Sequence, residues 1–150
     1  MTNISELLAK GKIIFIDTAP FIYHFENSEK YSPLTKVLFS ELDKNSVRAI
    51  TSVITLTEII TKPFQIGNRE VVEKYIAYFR SGKNLVVHPI NENIAIIAGE
   101  LRGKYPSIKS IDALQLGTAL FLEAKIFVTN DFQLEQIKEI EVVVLANITV

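Results

Sequence analysis

Residues 110–131 read SIDALQLGTALFLEAKIFVTND. On a helix over 110–124, Ile111, Leu114, Leu116, Ala119, Leu120, Phe121 and Leu122 fall on nearly every side, and a helix that is apolar nearly all round is a buried one. The next five residues, KIFVT at 125–129, form a short apolar run of the kind that makes a buried strand. A buried helix leading into a buried strand is the repeating unit of a parallel sheet covered on both faces. Ser110 reads as the N-cap of the helix, with Asp112 in its first turn, and the strand closes on Thr129, Asn130 and Asp131.

The same alternation extends in both directions. KIIFI at 12–16 is an apolar run ended by Asp17, and VRAIT at 47–51, LVVH at 85–88 and EVVVL at 141–145 are further strands. Thr18 reads as the N-cap of a helix with Pro20 in its first turn, reaching Phe25. Ser32 and Pro33 open a second helix that Asn45 and Ser46 end. A third covers 53–62 and stops before Pro63, because the residue ahead of a proline avoids the helical region. A fourth covers 69–80 and is closed by Ser81-Gly82. Asn91 caps a fifth that runs to Lys104 and is broken by Tyr105-Pro106-Ser107. A short helix spans 132–138, with Asn130 and Gln133 at capping-box spacing. The expected architecture is one α/β domain over residues 1–150, with its core at about 12–146. It would be a three-layer α/β/α sandwich around a central, mainly parallel sheet of about five strands.

Composition narrows the chemistry. The chain has 150 residues, 48% hydrophobic and 22% charged, and no cysteine. That excludes a disulfide framework, a thiolate zinc site and a cysteine nucleophile. The opening MTNISELLAKGK carries Glu6 and lacks the apolar core of a secretory signal. No apolar stretch approaches the roughly 18 residues of a membrane span. A soluble, cytoplasmic protein with no membrane partner is expected. The formal charge is −1; setting aside four acids that would face bound metal leaves +3, a balance that permits a nucleic-acid substrate without requiring one.

Asp17 and Asp131 follow the C-terminal ends of two strands, where open α/β sheets bind ligands. The competing reading is that each only caps a helix. Asp112 stands near a buried surface, where an unpaired carboxylate costs several kcal/mol, against roughly 0.3–1 kcal/mol recovered from the helix dipole. Glu58, within VITLTEIITK, lies off the face formed by Val53, Leu56, Ile59 and Ile60, and pairing with Lys62 would account for it. Carboxylates converging on one spot repel each other unless cations are present. Hard divalent ions such as Mg²⁺ or Mn²⁺ take such ligands, and metal-assisted attack of water on a phosphodiester is the chemistry that follows. Neither a glycine-rich phosphate loop nor a G-x-S-x-G elbow is present. His24 and His88 read as structural.

Four segments, IFIDTAPFIYHFE, SVITLTEII, SIDALQLGTAL and IFVTNDFQL, together resemble the PIN domain, and within it the VapC-like toxin nucleases. The resemblance implies that Asp17, Glu58, Asp112 and Asp131 form an active site binding Mg²⁺ or Mn²⁺. It adds Thr18 and Thr129 as hydroxyls of the active-site network, with Asn130 beside them. It also implies an RNA substrate, a protein antitoxin and a homodimer. Arg102, Lys104 and Lys109 precede the Asp112 helix and are candidate phosphate contacts, with a solvated charged face as the plainer account. The chain departs from the pattern in having about a dozen residues before the first strand, Ala19-Pro20 after Thr18, and a single acid in the last motif. A PIN nuclease of RNA processing or DNA cleavage, and an inactive PIN scaffold binding RNA or protein, remain as alternatives.

Overall fold

The structure, a computed structural model, describes residues 2–10, 13–44 and 47–150. In chain order its elements are β1 (Thr2–Asn3), α1 (Ile4–Lys10), β2 (Ile13–Ile16), α2 (Thr18–Phe25), α3 (Ser32–Asp43), β3 (Arg48–Ser52), α4 (Val53–Gln65), α5 (Arg69–Ser81), β4 (Leu85–His88), α6 (Glu92–Lys104), α7 (Ser110–Phe121), β5 (Ile126–Thr129), a 3-10 helix (Phe132–Gln136), β6 (Glu141–Val144) and β7 (Ile148–Thr149). A second 3-10 turn, Leu145–Asn147, joins β6 to β7.

Five strands pair in the order β4-β3-β2-β5-β6, every pair parallel. Successive side chains of a strand point to opposite faces, and the central strands use this to serve two cores. Ile14, Ile16, Ile126 and Val128 join the core covered by α1, α2 and α3. Phe15 and Phe127 point the other way, under α6 and α7. Their rings stack across β2 and β5 with centroids 5.0 Å apart and planes within 2°. Burying an aromatic side chain of this kind contributes about 1.5–3 kcal/mol. The result is the expected three-layer sandwich. Among the described residues no helix is long and apolar enough to cross a membrane.

The sequence reading holds for the strands and is corrected at several helix ends. Asp17, not Thr18, caps α2, because its carboxylate accepts from the Thr18 N–H. Helix α4 runs through Pro63 to Gln65. The missing proline N–H falls in the last turn, and beyond it Ile66 and Asn68 bond back to Lys62 and Pro63 at 3.1 and 2.8 Å. Helix α7 starts with Ser110 inside it, since the Ala113 N–H reaches the Lys109 carbonyl at 3.0 Å. It ends at Phe121, not near Ala124. Glu123 takes φ 59°, and the N–H groups of Glu123 and Ala124 bond back to Leu120 and Ala119, closing a Schellman motif. The short helix of 132–138 is a 3-10 helix ending at Gln136 and capped by Asp131 rather than by Asn130. Lys12, at the start of the first expected strand, and the helix stop expected at Asn45-Ser46 lie outside the described residues.

The segment before the sheet, which the sequence reading leaves without structure, forms α1. Ile4, Leu7 and Leu8 are buried against the first core. Ahead of it β1 pairs in parallel with β7, Thr2 opposite Ile148 and Asn3 opposite Thr149.

Candidate active site

Three of the parallel strands end in the residues that build the site. β2 runs into Asp17, whose N–H donates to the Val128 carbonyl at 2.9 Å and keeps it in step with β5. Its carboxylate accepts from the Thr18 N–H and, on the other oxygen, from the Thr129 hydroxyl, both at 2.8 Å. β3 ends at Ser52, whose hydroxyl caps α4 by accepting from the Ile54 N–H at 3.1 Å. Glu58 stands in the second turn of that helix and accepts from the Thr18 hydroxyl at 2.7 Å; among the described residues it forms no ion pair with Lys62. β5 ends at Thr129 and leads to Asp131, which caps the 3-10 helix through the Gln133 N–H at 2.9 Å. Asp112 lies in the first turn of α7, where the helix dipole favours a carboxylate.

All four acids line one open cleft of about 500 Å³, beyond the C-terminal ends of the strands. Asp112 is pushed up to about 6, first by burial and then by the charges of Asp17, Asp131 and Glu58, with Lys109 working the other way. Burial also raises Asp17, against the hydrogen bonds from Thr129 and Thr18, and the Glu58 charge adds to the rise. Acids that raise one another in this way carry negative charge without a matching counter-charge.

Residues 14–140 match the PIN domain model. The chain belongs to the PIN-domain family. Solved structures similar to this PIN domain include VapBC-1 from nontypeable Haemophilus influenzae, at 20% identity and TM-score 0.67 over 90% of this chain and 99% of that one. VapBC2 from Rickettsia felis, bound to a DNA fragment of its promoter, aligns at 19% identity and TM-score 0.66 over 87% and 97%. VapC20 of Mycobacterium tuberculosis, a toxin that cleaves the sarcin–ricin loop, aligns at 16% identity and TM-score 0.63 over 85% and 98%. At these identities the likeness is one of fold. None of the curated proteins matches the chain.

The donor set of this PIN domain fits a hard divalent cation, since the cleft offers carboxylates that burden one another with charge and no histidine or thiol. Among the described residues no three or more of the acids close to coordination spacing; they frame the cleft rather than meet at a point.

The structure brings Asp17, Glu58, Asp112, Asp131, Thr18 and Thr129 together. Asn130 lines the same cleft, and its side chain donates to the Tyr23 hydroxyl and accepts from the Ala146 N–H, both at 3.0 Å. Arg102 donates to the Ile108 carbonyl at 3.0 Å, and Lys104 pairs with Glu139 at 2.6 Å. The Lys109 charge acts on an acid of the cleft, Asp112, and lowers its pKa. His24 stacks on Phe39 with centroids 4.3 Å apart, and His88 Nδ1 lies 2.6 Å from the Pro89 carbonyl oxygen.

Gln115 escaped the sequence reading. It is fully buried beneath the acids. Its amide nitrogen donates to the Thr55 hydroxyl at 2.8 Å and to Asp17 at 3.4 Å, and its carbonyl oxygen accepts from Ser52. The available signal was an uncharged polar residue in an otherwise apolar helix, three positions after Asp112 and hence on the same side.

Proposed function

We propose that this PIN domain is a metal-dependent endoribonuclease that hydrolyses RNA phosphodiester bonds and serves as the toxin of a toxin–antitoxin pair. The observation that carries the reading is the cleft itself: four carboxylates line it, and burial together with the charges of the other three pushes Asp112 up to about 6. Asp17, Glu58, Asp112 and Asp131 would hold Mg²⁺ or Mn²⁺, which when bound lowers the pKa of a water and neutralises charge on the phosphate. The protein's own part is orientation. Thr129 and the Thr18 N–H fix the two oxygens of Asp17, and the Thr18 hydroxyl fixes Glu58.

Family membership supports a nuclease, and the RNA-cleaving neighbour supports RNA as the substrate. The VapBC neighbours support a protein antitoxin as partner. A homodimer belongs to the same proposal and would give a solution mass of twice 16.9 kDa.

The test incubates the purified protein with structured RNAs in Mg²⁺ or Mn²⁺, with EDTA and Asp112→Asn as controls. Cleavage that needs the metal and is lost in the variant is expected. A variant that cuts as well as the parent overturns the site. Induced expression should halt growth, with relief by the product of a small neighbouring reading frame. Unaffected growth would remove the toxin role and leave the nuclease standing.

A further inference from the structure

The three elements carrying Asp17, Glu58 and Asp112 share one buried polar knot. Thr51, Ser52, Thr55 and Gln115 are all 0% exposed. The Thr55 hydroxyl lies 2.8 Å from both the Gln115 amide nitrogen and the Thr51 hydroxyl, which donate to it. A hydroxyl has two acceptor lone pairs and one hydrogen. With both lone pairs taken, the Thr55 hydrogen goes to Thr18 Oγ1 at 3.1 Å, and the Thr18 hydrogen goes on to Glu58 Oε1 at 2.7 Å. Every donor therefore points one way, toward the carboxylate. The second hydrogen of the Gln115 amide reaches Asp17 Oδ1 at 3.4 Å, and Ser52 donates to its carbonyl oxygen. Gln115 is three residues beyond Asp112 on α7, so one carboxamide contacts the first acid, leads to the second and sits on the helix of the third.

A fold has no need of this arrangement. Apolar residues at 51, 55 and 115 would fill the same space without burying a chain of hydroxyls and a carboxamide, and a buried polar network is tolerable only when fully satisfied. The sheet is already held by its two apolar cores.

We propose that Gln115 and Thr55 are positioning residues: the Gln115 amide sets Asp17 directly and Glu58 through Thr55 and Thr18, and fixes both against Asp112. The inference rests on the cation-binding cleft proposed above. Supporting groups behind metal ligands change affinity or activity by roughly 10–100-fold when removed.

The test measures Mn²⁺ binding by the loss of the free-ion signal in paramagnetic resonance, alongside thermal unfolding, for the parent, Thr55→Val, Thr55→Ser and Gln115→Met. Thr55→Val keeps the shape and removes the hydroxyl, while Thr55→Ser keeps the hydroxyl and removes a methyl. Thr55→Val and Gln115→Met should weaken Mn²⁺ binding roughly 10–100-fold with a cooperative melt retained, and Thr55→Ser should stay within a few-fold of the parent. Parent-like binding in a folded Thr55→Val overturns the relay, as does a Thr55→Ser as weak as Thr55→Val. If neither Thr55→Val nor Gln115→Met folds, the knot serves the fold and the proposal falls. A parent that binds no Mn²⁺ instead removes the cleft reading on which the relay depends.

Discussion

Helices α4 and α7 each deliver one acid to the same cleft, from opposite kinds of surroundings. Of α7, Ala113, Gln115, Leu116, Gly117, Thr118 and Ala119 are buried, and the Cβ that Gly117 lacks would meet the Ile94 carbonyl oxygen of α6 at 3.0 Å. Of α4, Thr55 and Ile59 alone are buried, and Val53 and Phe64, with Ile66 just past its end, are exposed. Asp112 accordingly sits half-buried with its carboxyl pushed up to about 6, while Glu58 is exposed and held by the Thr18 hydroxyl. Similar chemistry is therefore reached by two routes. One acid is carried by a core helix and suffers desolvation; the other rides a surface helix and depends on a hydroxyl from elsewhere for its aim.

The contrast can be broken most sharply at Leu116, which is fully buried. Leu116→Ala should cost about 2–5 kcal/mol in urea unfolding. An equivalent truncation of Ile66, exposed on the far end of the α4 segment, should stay within about 0.5 kcal/mol. A loss under 1 kcal/mol at Leu116 would mean that α7 is not the core helix described.

The next effect is pH-dependent and concerns the metal-free protein. In the fold, burial and the neighbouring carboxylates push the Asp112 carboxyl up to about 6, against an ordinary value of 3.8. The folded state thus holds more protons across that interval, so Asp112 destabilises the fold above about pH 6 and that loss is recovered as pH falls from about 6 toward about 4. Because the group is only half-buried, screening reduces the effect to the order of 1 kcal/mol. In EDTA, Asp112→Asn should therefore melt above the parent at about pH 7.5, with the gap closing below about pH 6 toward about pH 4. A gap that widens on acidification has the wrong sign for a carboxylate raised in the fold.

The smallest effect belongs to the surface route. Glu58→Gln should shift metal-free stability by less than about 0.5 kcal/mol, while losing cleavage as fully as Asp112→Asn. A shift as large as that of Asp112→Asn would erase the distinction between the two helices.

The same contrast governs what could be read from the residues. The strands were legible because parallel strands buried on both faces are continuous apolar runs, and each expected run became a strand. Asp112 was legible because an acid stands out against Leu114, Leu116 and Ala119. Glu58 was not, because an acid on an amphipathic surface helix is ordinary, and only the resemblance of its segment to a family singled it out. Gln115 was hidden differently: a glutamine draws no attention by charge, and its partners Ser52, Thr55 and Asp17 meet it only once β2, β3 and α7 are packed. Helix ends were misread where a neighbour's carboxylate or a left-handed residue, Asp17 or Glu123, decided the boundary.

The pairing of Thr2–Asn3 with Ile148–Thr149 works as a clasp. It joins segments nearly a chain length apart. The entropy of closing so long a loop grows only slowly, by about 0.6 kcal/mol per doubling. The clasp adjoins the core that Ile4, Leu7, Leu8 and Ile148 share, so each of the two segments is held twice, by backbone bonds to the other and by side chains in one core.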